Sequence, residues 1–189
     1  MVKNLIRKSL LEQGQLLSKN FIHKANIDIQ NAAIKHLDIK SSKNILSYFP
    51  YKNEVTLEII SQEFKKYKNN IFMPRIVSAN QLKFNLFKEN AALEKNKYGI
   101  YEVKNENYLD LASFDLMFIP FVGIDKGGYR LGYGGGYFDR SLNKISFAEK
   151  KPIIVGLGYD FQILEESFAE SHDLKYDIVI TQTRIHSYS

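Results

Sequence analysis

The residues most suggestive of chemistry are the glycines at positions 123–136. Seven of the chain's 11 glycines are clustered there. Glycine has no Cβ, so its backbone can approach a ligand closely and can adopt conformations closed to other residues. The segment follows a predicted strand at residues 116–120. It precedes a predicted helix that begins near Tyr137 and has Leu142 and Ile145 on its apolar side. Backbone amides at the positive end of a helix bind anions, so this arrangement predicts a phosphate site.

The segment matches neither of the common nucleotide-binding fingerprints. No Gly-Lys-Ser/Thr follows the glycines, as a P-loop requires, and Tyr137 stands where the dinucleotide fingerprint ends in glycine. Two other interpretations therefore stay open at this point. The segment can be a flexible surface loop, or it can be an RNA-binding tract in which tyrosines stack on bases beside arginines, namely Tyr129, Tyr133, Tyr137, Arg130 and Arg140.

Two basic residues near the N-terminus, Lys3 and Arg7, are four positions apart. Apolar residues at mostly helical spacing predict a helix over residues 2–21, interrupted by Gly14, and residues four apart project from one face of a helix. The pair can therefore converge on a single anion, although a solvated basic face is the simpler interpretation. Because Arg130 lies in a predicted loop, we expect it to serve an anion without supporting the core.

The composition is that of an ordinary globular protein, and its net positive charge favours anionic partners without choosing among them. Of its 189 residues, 44% are hydrophobic and 25% are charged, and the net charge is +5. The absence of cysteine excludes disulfides and thiol chemistry. No signal peptide and no run of about 18 apolar residues is present, so we expect a cytoplasmic protein with no membrane partner. No catalytic or metal-ligand spacing links the four histidines, which are His23, His36, His172 and His186.

Apolar patterns along the rest of the chain predict alternating strands and helices. The strand-like runs lie at residues 44–50, 70–74, 82–87, 116–119, 153–155 and 177–181. Helical spacing is found at residues 28–37 and 56–67. Unbroken apolar runs are typical of central strands in a parallel sheet. This order predicts a single α/β domain over residues 1–189, with three α/β/α layers around a mainly parallel, Rossmann-like sheet.

The glycine segment and its flanks closely resemble the signature of the 5-formyltetrahydrofolate cyclo-ligase family. The residues that carry this resemblance are the strand at residues 115–120, Asp125, the run Arg130-Leu131-Gly132-Tyr133-Gly134-Gly135-Gly136-Tyr137, and Asp139-Arg140. It extends over nearly the whole chain, through the basic first helix, Glu54, Pro74-Arg75, Tyr98-Gly99-Ile100, Glu102, Gln162, His172-Asp173 and residues 177–181. The chain departs from the family pattern at three positions, which are Val103, Phe138 and Gln182.

The resemblance implies an ATP- and Mg²⁺-dependent ring closure of 5-formyltetrahydrofolate to 5,10-methenyltetrahydrofolate. ATP would phosphorylate the formyl oxygen, a neighbouring folate nitrogen would attack the activated carbon, and phosphate would leave. Such a reaction depends on charge neutralisation and positioning more than on covalent participation of the protein. The implied partners are ATP and a reduced formyl-folate, and not nucleic acid. A basic RNA-binding module and a non-catalytic folate-binding protein are the alternatives.

The resemblance also implies roles for individual residues. Those implied at ATP are Lys3, Arg7, Arg130, Leu131, Gly132, Tyr133, Gly134, Gly135, Gly136, Tyr137 and Phe138, of which Arg130 and Tyr137 are the implied catalytic residues. Those implied at the folate are Phe49, Glu54, Arg75 and Tyr98. The implied ligands of Mg²⁺, a cation that prefers oxygen, are the carboxylates of Asp139 and Asp177.

Overall fold

A seven-stranded sheet forms the centre of the molecule. The computed structural model describes residues 2–78, 81–143, 145, 150–170 and 173–188. Across the sheet the strands follow the order β11 (Ile185–Ser187), β10 (Ile178–Ile180), β9 (Ile153–Leu157), β6 (Leu116–Phe118), β1 (Asn44–Leu46), β2 (Asn70–Ser78) and β3 (Gln81–Phe87). The strands from β10 to β2 are parallel, and β11 and β3 are antiparallel edges. The predicted mainly parallel α/β sheet is therefore confirmed.

The α-helices in the described part of the chain are α1 (Val2–Gln15), α2 (Lys19–His36), α3 (Glu58–Tyr67) and α4 (Tyr137–Ser141). The predicted boundary between the first two helices is wrong. The first helix ends at Gln15 because the Ser18 hydroxyl accepts a hydrogen bond from the Phe21 amide and thereby starts α2. Among the described residues, no helix has the length and apolarity that crossing a bilayer requires.

Side chains that alternate along the central strands build a separate core on each face of the sheet. On one face, Leu116 and Phe118 belong to the core that packs against α2 and α3. On the other face, Met117 and Ile119 share a core with Tyr176 and with the region around α4. Burial on both faces explains why β6 and its flanks are an unbroken apolar run in the sequence.

Two short antiparallel hairpins stand outside the central sheet. One joins β4 (Leu93–Lys95) to β5 (Tyr101–Val103), and the other joins β7 (Gly123–Ile124) to β8 (Arg130–Leu131). The second hairpin lies within the glycine-rich segment, so this segment is folded and is not the flexible loop considered above. Because β1 and β6 are parallel, the connections that follow them leave the same edge of the sheet, where open α/β sheets bind ligands.

A buried amide fixes the connection that follows β1. Gln30 of α2 is 1% exposed, and its Oε1 accepts hydrogen bonds from the amides of Ile59 (2.8 Å) and Ile60 (3.3 Å). These amides belong to the first turn of α3, whose own N-cap residue, Leu57, supplies no side-chain hydrogen bond. Gln30 therefore caps α3 from a neighbouring helix and satisfies donors that would otherwise be unpaired.

Replacement of Gln30 with leucine should lower the free energy of unfolding by about 2–4 kcal/mol, because two amides of α3 would lose their acceptor. Urea denaturation followed by circular dichroism measures the change. The control is Gln13→Leu on the exposed side of α1, which should stay within about 0.5 kcal/mol of the wild type. Equal losses in the two variants would contradict the capping role.

Candidate active site

Arg130, on β8, is buried, with 6% of its surface exposed. Its Nε donates a hydrogen bond to the carbonyl of Pro120 (2.8 Å), just beyond the end of β6, and its Nη1 pairs with the Asp139 carboxylate of α4 (3.0 Å). Its guanidinium also lies 5.3 Å from the ring centre of Phe138. The expectation that Arg130 does not support the core is therefore wrong, because its side chain joins β8, β6 and α4.

Glycine is required at two points of the segment that follows β8. A Cβ on Gly132 would lie 2.6 Å from the guanidinium of Arg130, so a larger residue could not pass over it. Gly136, which precedes α4, has a φ of 62°, a left-handed conformation that other residues rarely adopt. The chain can therefore cross close above Arg130 and then turn into α4, and Gly135 and Gly136 become part of the wall of a cleft.

Arg7 reaches the same segment from α1. Its Nε donates to the Gly132 carbonyl (2.7 Å) and its Nη1 to the Asn4 side-chain oxygen (2.6 Å). Partial burial and the positive charge of Arg130 lower the pKa of Arg7 below its ordinary value. Among the described residues, Asp139 is the one carboxylate that forms an ion pair with either arginine. The surplus of positive charge favours an anion at this point.

Lys3 lies one helical turn before Arg7 but has different partners. Its Nζ pairs with Asp173 (2.6 Å) and with Glu170 (3.3 Å). The structure therefore does not bring Lys3 and Arg7 to one common point, since two carboxylates hold Lys3. An anion would have to displace them before Lys3 could bind it. His172, which the family resemblance includes, lies outside the described residues.

Glu54, on the connection after β1, faces Tyr133 and Arg130. Its Oε2 accepts a hydrogen bond from the Tyr51 amide (2.7 Å), and the Tyr133 hydroxyl is within hydrogen-bonding reach. Burial raises the pKa of Glu54 to about 7, although the Tyr51 amide, Arg130 and Tyr133 each act to lower it. Burial and the charge of Glu54 in turn raise the pKa of Tyr133 far above its ordinary value. The Tyr133 phenol therefore stays protonated, while Glu54 changes its charge near neutral pH.

These side chains meet in a cleft of about 240 Å³ at the carboxyl edge of the sheet. Tyr48 and Arg130, which are 4% and 6% exposed, line its deep end together with Glu54. Tyr98 and Tyr101, which are 48% and 47% exposed, form its mouth. Most of the other lining is aromatic or apolar and includes Phe49, Tyr51, Ile76, Ile100, Tyr137 and Phe138. Such walls, with few polar groups between them, suit a flat heterocycle.

A second cavity, of about 380 Å³, lies between α1 and the connections that follow β6 and β9. It shares Glu54 and Tyr133 with the first cleft, so these two side chains stand between the cavities. Its other lining residues include Leu10, Leu11, Gly14, Gln15, Phe121, Val122, Phe161 and Gln162. Two ligands can therefore approach Glu54 and Tyr133 from different sides.

Three of the residues that are predicted to bind the folate are part of the wall of the first cleft. They are Phe49, Glu54 and Tyr98. Arg75 is the exception. Its Nη1 donates to the carbonyls of Lys104 and Asn105 (3.1 Å each), and its Nη2 pairs with Glu94 (3.4 Å). These partners hold the guanidinium at the β4–β5 hairpin, so Arg75 fastens the hairpin to β2, and its role at the folate stays a prediction.

Tyr137 and Tyr98 meet at the mouth of the cleft. Their hydroxyl oxygens are 3.3 Å apart, and their rings are in edge contact with centres 6.2 Å apart. Hydrogen bonds with Tyr98 and Lys97 lower the pKa of Tyr137 below its ordinary value. The glycine segment and the β4–β5 hairpin therefore touch through two phenols, and the Tyr137 hydroxyl is a readier proton donor than an isolated phenol.

The two carboxylates predicted at Mg²⁺ lie apart. Asp139 accepts hydrogen bonds from Arg130 (3.0 Å) and from the Leu174 amide (3.3 Å), next to the cleft. Asp177 precedes β10 at the amino-terminal edge of the parallel strands, where it accepts a hydrogen bond from the Ile154 amide (2.7 Å). Asp177 therefore ties β9 and β10 together at this edge, and its role at Mg²⁺ stays a prediction. The described residues contain no group of three or more acidic or histidine side chains that could hold a metal ion.

Glu102 is a cleft residue to which the sequence patterns assign no role. It is 6% exposed, and its Oε1 accepts hydrogen bonds from the Ile76 amide (3.0 Å) and from the Asn96 side chain (2.8 Å). The alternation of apolar and polar residues around β5 is a weak signal for a strand. It does not reveal the contact of Glu102 with Ile76 of β2, because the two residues are 26 positions apart in the chain. Glu102 therefore holds the hairpin against the sheet at the cleft wall.

The chain is similar to known proteins over nearly its whole length. The model of the 5-formyltetrahydrofolate cyclo-ligase family matches residues 1–182. The 5-formyltetrahydrofolate cyclo-ligase of Haemophilus influenzae is 31% identical over 163 residues, which cover 84% of this chain and 86% of that protein. The cyclo-ligase of Mycoplasma pneumoniae is 31% identical over 184 residues, which cover 95% of this chain and 98% of that protein.

Two solved structures have the same fold. The 5,10-methenyltetrahydrofolate synthetase of Aquifex aeolicus, solved by NMR, has a TM-score of 0.84 and 26% identity, and the match covers 100% of this chain and 93% of that one. The synthetase of Mycoplasma pneumoniae has a TM-score of 0.78 and 27% identity, with 96% and 99% covered. The chain therefore belongs to the 5-formyltetrahydrofolate cyclo-ligase family.

Proposed function

We propose that this protein is a 5-formyltetrahydrofolate cyclo-ligase. It uses ATP to close 5-formyltetrahydrofolate into 5,10-methenyltetrahydrofolate, releases ADP and phosphate, and acts as one catalytic domain. The observation that carries the proposal is that Arg130 and a titratable Glu54 line one aromatic cleft, and that Arg7 bonds the glycine segment that follows Arg130. Guanidinium groups pair with phosphates, and a carboxyl group can accept hydrogen bonds from pterin nitrogens.

The phosphates of ATP lie along the glycine segment in this proposal. Backbone amides of residues 131–138 offer hydrogen-bond donors there, and Arg7 and Arg130 offset the phosphate charge. Phe138 supports this arrangement through the contact of its ring with the Arg130 guanidinium, for which no hydroxyl is needed. Transfer of the terminal phosphoryl group to the formyl oxygen then depends on charge neutralisation and alignment. Lys3 joins this set only after it leaves Asp173 and Glu170.

Asp139 is the residue that we propose as the protein ligand of Mg²⁺. Within the described residues, each of its carboxylate oxygens accepts one hydrogen bond, and a carboxylate oxygen has a second lone pair that can bind a cation. A single carboxylate fits an ion that arrives on ATP phosphates and keeps part of its water shell. When bound, the ion would supply additional positive charge for the phosphates.

The pterin ring lies in the aromatic cleft and its nitrogen donors face Glu54. Phe49 forms one wall, where its ring makes edge contacts with Phe87 and Tyr101 at centre distances of 5.7 Å and 6.2 Å. Tyr98 and Tyr137 narrow the mouth, and Tyr137 offers its hydroxyl to the reacting formyl group. Exclusion of water by these walls would protect the activated carbon until the folate nitrogen attacks it.

Neither alternative function is favoured by this site. Stacking on RNA bases needs exposed planar groups, whereas Arg130 is 6% exposed and Tyr137 is in contact with Tyr98. A folate-binding protein without activity would have the same cleft, so ATP consumption is the property that separates it from an enzyme.

The proposed function is tested by incubation of the protein with magnesium-ATP and 5-formyltetrahydrofolate while the absorbance of the methenyl product is recorded. We expect product to accumulate with one ADP released for each molecule formed. Folate binding without ADP release would support the non-catalytic alternative, and absence of both would reject any folate function.

Replacement of Arg7 with alanine should raise the Michaelis constant for ATP about tenfold or more, because one charge-assisted contact is lost, and should leave the melting temperature nearly unchanged. Steady-state kinetics measure the first quantity and thermal unfolding the second. The matched control is Lys8→Ala on the same helix, since its side chain is 74% exposed and its nearest carboxylate, Glu12, is 3.9 Å away. If Lys8→Ala had the same effect as Arg7→Ala, the nucleotide site would not be at Arg7.

Replacement of Glu54 with glutamine should weaken binding of 5-formyltetrahydrofolate about tenfold near pH 8, because the side chain keeps its size but loses its charge. ATP affinity should change less than about twofold. Isothermal titration of each ligand measures both constants. Glu58→Gln, at the exposed start of α3, is the control. Loss of ATP affinity with retained folate affinity would contradict the assignment of Glu54 to the folate.

The folate affinity should also depend on pH through Glu54. The carboxyl group is protonated below its pKa of about 7 and charged above it. Folate affinity of the wild type should therefore rise from about pH 6 to about pH 8, and this rise should be absent in Glu54→Gln. Titration of the ligand itself affects both proteins equally, so it cancels when the pH profile of the variant is subtracted from that of the wild type. Identical pH profiles of folate affinity in the two proteins would exclude Glu54 as the titrating group.

A further inference from the structure

Lys52 lies at the border between the two cavities, in the connection that follows β1. Its Nζ is 5.2 Å from the ring centre of Tyr51 and 5.8 Å from that of Tyr133, so its ammonium group stands against two aromatic rings. Lys52 lines the second cavity together with Glu54 and Tyr133. Neither the sequence patterns nor the family resemblance assigns this lysine a role.

The backbone of Lys52 has a left-handed conformation, with a φ of 54°. Apart from glycines, Lys68 is the other described residue with this conformation, and its φ is 58°. The conformation of Lys68 is an ordinary one for the residue that ends a helix, in this case α3. Lys52 ends no helix, and strained residues of its kind cluster at ligand-binding sites.

Three hydrogen bonds hold the turn that contains Lys52. The Glu54 amide donates to the Tyr51 carbonyl (3.2 Å), and the Glu54 Oε2 accepts from the Tyr51 amide (2.7 Å). The Asn53 side chain donates to the Gly14 carbonyl of α1 (2.6 Å). The turn is therefore closed by Glu54 and fastened to α1, and these contacts set the position of Lys52.

Lys52 carries a positive charge that no neighbouring side chain neutralises. In the part of the chain that the structure describes, no carboxylate forms an ion pair with it. Arg7 bonds the Gly132 carbonyl and lies against Gly134, and these two glycines flank Tyr133 in the chain. Lys52 and Arg7 therefore adjoin the same short stretch of the glycine segment, where both charges are available to an anion.

We propose that Lys52 binds the terminal phosphate of ATP and makes the enzyme bind ATP more tightly than ADP. The inference rests on the proposed function. Transfer to the formyl oxygen requires the terminal phosphate to be the one that lies nearest to the folate at Glu54. Lys52 is two positions before Glu54 and stands against Tyr133, so its ammonium group adjoins the end of the nucleotide that meets the folate.

The expected effect is modest because Lys52 is exposed. Contacts between exposed charges are weak and are screened by salt. Loss of the charge should weaken binding of a non-hydrolysable ATP analogue about three- to fivefold at low ionic strength, and should change ADP affinity less than about twofold. The difference should shrink as salt is added, since the Debye length falls to about 3 Å at 1 M.

The test is isothermal titration of adenosine 5′-(β,γ-imido)triphosphate and of ADP, each with magnesium, into the wild type and the variants Lys52→Asn, Lys52→Gly and Lys52→Arg. Asparagine and glycine tolerate the left-handed conformation, so both remove the charge without adding strain. We expect these two variants to lose most of the preference for the triphosphate. Lys52→Arg keeps the charge and should retain most of the preference.

The matched control is Lys68→Asn, which removes a lysine with the same backbone conformation from the opposite edge of the sheet, where α3 leads into β2. This variant should keep the wild-type ratio of the two affinities. An unchanged ratio in Lys52→Asn, an equal loss of both nucleotides, or the same change in Lys68→Asn would overturn the proposal.

These outcomes are separate from failure of the proposed function. If the wild type forms the methenyl product but Lys52→Asn keeps the wild-type ratio, the cyclo-ligase function stands and the phosphate contact of Lys52 does not. If the ratio depends on Lys52 but the wild type forms no product from 5-formyltetrahydrofolate, the phosphate contact stands and the proposed reaction fails. If the wild type binds neither nucleotide, both are wrong.

Discussion

The contact on which the rest of the site depends is the buried ion pair between Arg130 and Asp139. Burial of two charges costs desolvation energy, and the pair is stable only if further hydrogen bonds satisfy both partners. Arg130 also donates a hydrogen bond to the Pro120 carbonyl, and Asp139 also accepts a hydrogen bond from the Leu174 amide. One charge pair therefore joins the end of β6, the glycine-rich hairpin, α4 and the chain that leads into β10. Loss of either partner would leave an uncompensated charge at the centre of the site.

This construction gives the cleft two electrostatically different sides. Arg130 and Arg7 concentrate positive charge beside the glycines before any ligand arrives, so little reorganisation is needed when an anion binds. On the facing side, burial keeps the carboxyl group of Glu54 close to its midpoint at neutral pH. The two sides are coupled because Arg130 lowers the pKa of Glu54. An anion that neutralises Arg130 would therefore raise this pKa and favour the protonated carboxyl group.

Local patterns predict the sheet and the glycine segment well, because the periods of strands and helices and the clustering of glycine are properties of neighbouring residues. Local patterns do not reveal a contact whose partner is distant in the chain. Arg75 bonds carbonyl groups about 30 residues away, and Asp177 bonds an amide 23 residues away, so no local pattern predicts either contact. Burial of Arg130 likewise depends on contacts between three elements. The boundary between α1 and α2 is a different case. There the cap at Ser18 is local in sequence, but the apolar spacing continues past it and hides the end of α1.

The central claim is that one cleft holds the folate at Glu54 and the phosphates at Arg130, with the formyl group between them. A crystal structure of the protein with 5-formyltetrahydrofolate and a non-hydrolysable ATP analogue tests this claim most directly. The account predicts the pterin nitrogens within hydrogen-bonding distance of Glu54, and the terminal phosphate beside Arg130 and the glycine amides. A pterin bound away from Glu54, or phosphates bound away from the glycine segment, would contradict it.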